Sequence, residues 1–164
     1  MESKEKDFLN ILNENKKIIY KICHLYTNIH DDFIDLYQEI IYQLWKSYDK
    51  FEGKSGINTW IYRVALNTAL YNLRKKETER KRIKRINNTD FEVPVNPESD
   101  ELMSKLKMLI ENLGDAEKSL LLLQLEGLSY KEISEISGLS ISNVGTKLNR
   151  IRDKLRDMAN NKNL

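Results

Sequence analysis

One stretch of the chain combines aromatic, amide and basic side chains, the residue types that bind an unstacked nucleic-acid strand. The segment from Phe51 to Arg85 opens with a glycine-containing loop and continues with helical periodicity. Residues spaced three and four apart along it share one predicted helix face: Trp60, Arg63, Asn67, Tyr71 and Arg74. Aromatic rings stack on exposed bases and cations bind phosphates, so this face favours a single-stranded nucleic-acid ligand.

Charge is distributed unevenly along the chain, although the formal net charge is only +2. Residues 59–86 contain nine Lys and Arg against two acids, Glu77 and Glu79. Residues 30–45 contain no Lys or Arg but carry four acids: Asp31, Asp32, Asp35 and Glu39. An acidic face next to a basic one indicates two different binding partners.

The composition favours an all-α fold, because 164 residues include only two prolines and six glycines. The single cysteine, Cys23, cannot form an internal disulfide, and this favours the cytoplasm. Cys23 and His24 lack further ligands nearby in sequence, so we expect them to pack rather than to bind metal. No segment resembles a secretory signal or is apolar enough for membrane insertion. We expect no cofactor, no small-molecule substrate and no enzyme activity, because phosphate-loop and nucleophile motifs are lacking.

Apolar periodicity predicts the helices that position these faces. The first helix is indicated by apolar residues from Phe8 to Ile29, and the second by those from Phe33 to Tyr48, with Asp32, Asp35 and Glu39 on the opposite arc. Asn58 or Thr59 is predicted to cap the third helix. The other side of that helix is apolar and can face a core.

Periodicity stops between residues 87 and 100, where both prolines, Pro94 and Pro97, occur. We therefore predict two small helical domains, residues 1–86 and 101–164, joined by a flexible linker, residues 87–100.

The second domain is predicted to be a helix-turn-helix. Gly114 ends its first helix and Asp115 caps the next, which stops near Gly127. Ser129 and Glu132 form a capping box, and Gly138 supplies the turn. Ser140 then caps a final helix with an apolar seam and polar or basic residues outward: Ser142, Asn143, Thr146, Lys147, Asn149, Arg150 and Arg152. Such a helix suits the major groove of DNA.

Three motifs in order resemble those of bacterial RNA polymerase sigma factors of the extracytoplasmic-function type. The first is Asp32-x-x-Asp35-Leu36-x-Gln38-Glu39, and the second is Ser55-x-x-x-Thr59-Trp60-Ile61-Tyr62-Arg63-Val64-Ala65-x-Asn67. The third is Glu126-Gly127-Leu128-Ser129-Tyr130-x-Glu132-Ile133-Ser134-Glu135-Ile136. The resemblance covers residues 8–158 and includes the order of the two domains.

The resemblance implies three binding sites. Core RNA polymerase would contact Asp32, Asp35, Leu36, Gln38 and Glu39. The minus-ten promoter element would be opened and bound by Lys54, Ser55, Gly56, Ile57, Asn58, Trp60, Arg63, Asn67, Tyr71 and Arg74. The minus-thirty-five element would be bound by Ser129, Tyr130, Ser142, Asn143, Thr146, Lys147 and Arg150. An anti-sigma factor is the further partner that the resemblance implies.

The chain departs from the family pattern at two positions, Ile34 and Gly145. Ile34 stands where the family often has an acid, and Gly145 stands where the recognition helix usually has a basic residue. The second departure leaves open which bases are bound.

Two other functions are compatible with parts of the pattern. A stand-alone helix-turn-helix regulator would bind DNA without joining the polymerase and would give the acidic face no role. A helical protein-interaction module would bind no promoter.

Overall fold

The structure is a computed structural model that describes residues 2–87 and 109–161. The chain divides into two compact units, Met1–Arg85 and Ile86–Leu164. All regular secondary structure in the described ranges is helical, which confirms the all-α prediction. The predicted linker, residues 87–100, lies outside the described residues except for its first residue, as do the apolar residues 102–108 assigned to the second domain.

The first unit contains α1 (Glu2–Tyr26), α2 (His30–Tyr48) and α3 (Ile57–Asn87). Aromatic residues join α1 to α2 in antiparallel order. Phe8 packs edge-on against Trp45, with ring centroids 5.0 Å apart, and Tyr20 lies 5.1 Å from Tyr37. The predicted apolar seams form the core, and its fully buried members include Ile19, Ile22, Ile40, Leu44 and Ile61.

Two contacts join α2 to α3, also in antiparallel order. The ring of Tyr48 lies 6.3 Å from that of Trp60, and Asp32 Oδ1 accepts a hydrogen bond from Lys76 Nζ at 2.5 Å. Asp32 and Tyr48 are 16 residues apart on α2, and Trp60 and Lys76 are 16 residues apart on α3. The start of α2 therefore contacts the later part of α3, and the end of α2 contacts the start of α3.

Cys23 is fully buried, which confirms that it packs in the core. Burial raises the pKa of its thiol to about 12, because an ionised sulfur would lose its hydration. His24 is exposed and contacts Phe33, with ring centroids 4.7 Å apart and ring planes inclined at 45°.

The second unit contains α4 (Asp115–Leu125), α5 (Tyr130–Ser137) and α6 (Ile141–Asn161), which pack against one another, and residues 109–111 are also helical. Ser129 caps α5: its Oγ accepts from the Glu132 N–H at 3.3 Å, and its own N–H donates to Glu132 Oε2 at 2.8 Å. Gly138 ends α5 at φ 73°, and Ser140 Oγ accepts from the Asn143 N–H at 3.2 Å. The predicted caps at Ser129, Gly138 and Ser140 are confirmed.

Two predicted caps are wrong by a few residues. The helix α3 begins at Ile57, and its first backbone bond runs from the Trp60 N–H to the Gly56 carbonyl, so Asn58 and Thr59 lie inside the first turn. The helix α4 begins at Asp115 itself, and the preceding Gly114 donates its N–H to Glu117 Oε2 at 2.7 Å. In both cases a glycine with an unhindered backbone occupies the capping position.

Candidate functional site

The outer face of α2 consists of Asp35, Gln38 and Tyr42, spaced three and four residues apart and all exposed. Tyr42 is 55% exposed, and Lys46 Nζ lies 5.9 Å from its ring centroid. Tyr42 was not among the residues predicted for this face, because the prediction considered only the acidic and amide residues. Its position seven residues after Asp35 places it on the same face of the helix.

The other three polymerase-contact predictions differ in accessibility. Glu39 is half-buried and accepts a hydrogen bond from Gln43 Nε2 at 2.8 Å. Asp32 is half-buried and bonded to Lys76. Leu36 is only 5% exposed, so its side chain packs inward and does not lie on the outer face of α2. Its position on the apolar seam with Ile40 explains why its side chain packs inward.

An apolar groove of about 650 Å³ adjoins Gln38 on α2. It is lined by both α1 and α2, and its walls include Tyr20, Phe33, Ile34 and Tyr37. Ile34 is 39% exposed there. The residue that departs from the acidic family pattern therefore adds an apolar surface next to the outer face of α2.

The α3 stripe consists of Arg63, Asn67, Tyr71 and Arg74, all of which are exposed. Tyr71 is 67% exposed and therefore presents most of its ring to solvent. These four predicted residues are brought together on one face, as their spacing indicated.

Trp60 does not belong to this exposed surface. It is 4% exposed and packs between Phe51, at a ring-centroid distance of 5.0 Å, and Tyr48. The structure therefore buries the ring for which base stacking was predicted, and does not present it on the exposed stripe. The chain segment after α2 places Phe51 over the indole, and helical spacing alone does not reveal that contact.

The loop before α3 is largely accessible. Lys54, Gly56 and Asn58 are exposed, whereas Ser55 and Ile57 are half-buried. Lys54 forms an ion pair with Glu52, and Gly53 adopts a left-handed φ of 67°.

The basic half of α3 is partly neutralised within the unit. Lys76 pairs with Asp32, and Lys81 Nζ lies 2.6 Å from Glu77 Oε1. The hydrogen bond and charge of Lys81 lower the pKa of Glu77. Lys75, Arg80 and Arg82 are exposed cations on the same helix.

The recognition face of α6 comprises five predicted residues, and all of them are exposed: Ser142, Asn143, Thr146, Lys147 and Arg150. The opposite seam, Val144, Leu148 and Ile151, is buried. Thr146 Oγ1 donates to the Ser142 carbonyl at 3.1 Å, which orients that hydroxyl along the helix. The arrangement offers hydroxyl, amide and cationic groups on one side of a rigid helix, as major-groove binding requires.

Ser129 and Tyr130 lie at the start of α5. The Ser129 hydroxyl and N–H both donate to Glu132, and these hydrogen bonds lower the pKa of that carboxyl. Tyr130 Oη accepts a hydrogen bond from Arg152 Nη2 at 3.2 Å. Ser129 is therefore engaged as a cap, while Tyr130 contacts α6.

A cation on α6 also connects it to α4. Lys154 Nζ donates to Glu117 Oε2 at 2.8 Å. This hydrogen bond and that of the Gly114 N–H hold the pKa of Glu117 below its ordinary value, because both stabilise the ionised carboxylate. The α6 helix is thus fastened to α4 through Lys154 and to α5 through Arg152.

Within residues 2–87 and 109–161 there is no group of three or more His, Cys, Asp or Glu residues placed to hold a metal ion. None of the described helices is both long and apolar enough to span a membrane.

Comparison with known families identifies the two units. The model for Sigma-70 region 2 matches residues 11–79, and the model for Sigma-70, region 4 matches residues 103–155. The ECF RNA polymerase sigma-E factor of Haemophilus influenzae is 31% identical over 140 residues, which cover 77% of this chain and 74% of that relative. The chain belongs to the extracytoplasmic-function group of the sigma-70 family.

Further relatives and solved structures are similar to this sigma factor over most of its length. The sigma factor SigW of Bacillus subtilis is 28% identical, with 91% of this chain and 87% of the relative covered. Among solved structures, RpoE from Bartonella quintana, in complex with the anti-sigma factor NepR, is 21% identical with a TM-score of 0.70 over 98% of both chains. CnrH in complex with the cytosolic domain of CnrY has a TM-score of 0.66 at 18% identity, covering 95% of this chain and 89% of that one. These two structures share the fold of this sigma factor.

Proposed function

We propose that this sigma factor binds core RNA polymerase and directs it to promoters, where it recognises the minus-thirty-five element and opens the minus-ten element. The observation that carries the proposal is the presence of both sigma-70 regions, in order, on two units with separate exposed polar faces. Residues 1–86 dock on the polymerase and bind the opened strand, and residues 101–164 bind duplex DNA. The protein is a non-enzymatic initiation factor of the cytoplasm.

Polymerase docking centres on the outer face of α2. Asp35 and Gln38 are exposed, whereas Asp32 is paired with Lys76 of α3, so the first two residues suit a basic partner surface. Tyr42 and the groove beside Ile34 extend this face with apolar area. Charge complementarity then sets orientation, and the apolar area adds affinity.

Promoter opening depends on the α3 stripe and the loop at Lys54–Asn58. Tyr71 offers a ring for stacking, and Asn67 offers an amide to a base edge. Arg63 and Arg74 bind phosphates, which makes the affinity dependent on salt. Trp60 supports this surface from beneath because it anchors the loop through Phe51.

The partner that restrains the protein is proposed to be an anti-sigma factor. Support comes from the relative of the same fold that was solved in complex with the anti-sigma factor NepR. The exposed apolar groove of the first unit provides a surface that such a partner would cover.

The test of the proposal is reconstitution with core RNA polymerase. We expect transcripts from a subset of promoters of the source genome, and none from core polymerase alone. A stand-alone regulator would instead bind duplex DNA and fail to co-migrate with the polymerase.

A further inference from the structure

Gly145 and Tyr130 are in close contact at the junction of α5 and α6. A Cβ atom built on Gly145 would lie 3.3 Å from Tyr130 Cε2 and 3.8 Å from Cδ2. The backbone of Gly145 is helical, so the turn geometry does not require glycine there. Glycine in a helix interior costs stability relative to alanine. The presence of glycine at position 145 is therefore explained by the Tyr130 ring, which occupies the space that a side chain would need.

Tyr130 in turn holds Arg152. The guanidinium donates one hydrogen bond to Tyr130 Oη at 3.2 Å, and Arg152 is exposed. Gly145 and Arg152 are seven residues apart, so they lie on the same side of α6. That side adjoins the recognition face, because Ser142 is three residues before Gly145.

Arg152 differs from the two cations that follow it. Lys154 is paired with Glu117, and Arg156 Nη1 lies 3.2 Å from Asp153 Oδ1. Arg152 instead donates to a neutral group, the Tyr130 hydroxyl. One of its donors is used to fix its orientation, while its charge and remaining donors are left for an anion.

We propose that Arg152 binds a DNA phosphate beside the recognition face, and that Tyr130 is the positioning residue that holds its guanidinium there. Gly145 leaves the space in which the ring sits. The charge of Arg152 then lies on the side of α6 that carries Gly145, where the family pattern has a basic residue. This inference rests on the proposed binding of duplex DNA by α6.

The test uses the full chain and a short fluorescent DNA duplex of mixed sequence, with binding followed by anisotropy from about 50 to 200 mM salt. Phosphate contacts are independent of sequence, so neither a promoter nor polymerase is needed. The variants are Arg152→Gln, Tyr130→Phe, Gly145→Leu and the two double variants with Arg152→Gln. Arg156→Gln is the matched control, because it removes a neighbouring cation that is already paired.

Arg152→Gln is expected to reduce the slope of log affinity against log salt by about 0.9, the value for one phosphate contact. Arg156→Gln should leave the slope unchanged. Tyr130→Phe and Gly145→Leu should each weaken binding in the native chain and have no further effect when Arg152 is glutamine. Thermal unfolding of each variant shows whether the fold is retained, and the exposed changes Arg152→Gln and Tyr130→Phe are chosen to retain it.

Three results overturn the inference: no salt-dependent binding of the duplex by the native chain, equal slopes for Arg152→Gln and the native chain, or effects of Tyr130→Phe and Gly145→Leu that persist without Arg152. The last result would assign both residues a merely structural role. Failure of the proposed sigma function is separate, because it appears as absent transcription with core polymerase whatever the duplex measurement gives.

Discussion

The indole of Trp60 packs against the ring of Phe51, with centroids 5.0 Å apart and planes inclined at 36°. The contact fastens the loop that precedes α3 to the first turn of that helix. It also leaves Trp60 buried, so the exposed α3 stripe starts at Arg63. Tyr71 is 67% exposed, and under the proposed function its ring stacks on the opened strand.

Trp60→Ala is expected to lower the free energy of unfolding of the first unit by about 3–5 kcal/mol, because it removes a buried aromatic side chain. Trp60→Phe should cost less, since a ring remains against Phe51. Urea unfolding followed by circular dichroism measures the change. Tyr71→Ala is the control and should leave unfolding nearly unaltered. A Trp60→Ala protein of native stability that fails only in promoter opening would restore the base-stacking role.

Tyr71→Ala is expected to disfavour promoter opening by about 1–3 kcal/mol, the loss of one base–aromatic stack. Tyr71→Phe keeps the ring and should open promoters as the native protein does. Permanganate reactivity of thymines in the holoenzyme–promoter complex reports the open fraction. Equal opening by Tyr71→Ala and the native protein would remove Tyr71 from the site.

Gln38→Ala and Asp35→Asn are each expected to weaken binding of core RNA polymerase by about tenfold, or about 1.4 kcal/mol, by removing a polar contact of the outer face of α2. Asp32→Asn is the matched control, since its carboxylate is engaged by Lys76 within the unit. Titration of labelled sigma factor with core polymerase gives the affinities. An effect of Asp32→Asn as large as that of Asp35→Asn would shift the docking surface toward α3.

Within residues 115–161 the helix ends were predictable to within one or two residues, because they depend on local chemistry. The capping box of Ser129 and Glu132 and the left-handed Gly138 depend on residues within a few positions of each other. The same holds for the α3 stripe from Arg63 to Arg74, whose exposure follows from helical spacing.

The burial of Trp60 and Leu36 was not anticipated from the sequence, for one shared reason. Helical spacing gives the direction in which a side chain points from the helix axis, but it does not show which other residues cover that side chain. Phe51 covers Trp60 from a loop, and a contact of that kind has no periodic signature. Leu36 lay in a motif with the exposed residues Asp35 and Gln38, but its own position continues the apolar seam of α2.

Low pH is expected to destabilise the second unit, because Glu117 becomes protonated. Its pKa is lowered in the folded state by the hydrogen bonds from Lys154 and the Gly114 N–H. A carboxyl with a lowered folded pKa contributes stability above its unfolded pKa, about 4.3, and this contribution is lost as the pH falls through the folded pKa. Hydrogen exchange of α6 amides, measured from about pH 6 downward, should show this loss.

Glu117→Gln should reduce stability near neutral pH and flatten the acid dependence. Asp153→Asn is the control, because it removes one partner of an exposed ion pair with Arg156. The same acid dependence in Glu117→Gln and the native protein would exclude Glu117 as its source.

Transcription by the reconstituted holoenzyme tests the central claim most directly. Purified protein and core RNA polymerase are combined on fragments of the source genome, and run-off transcripts are sequenced. We expect transcripts with defined starts that depend on the protein and disappear when Asp35→Asn and Gln38→Ala are combined. Binding to duplex DNA without association with the polymerase, and without transcripts from any fragment, would contradict it.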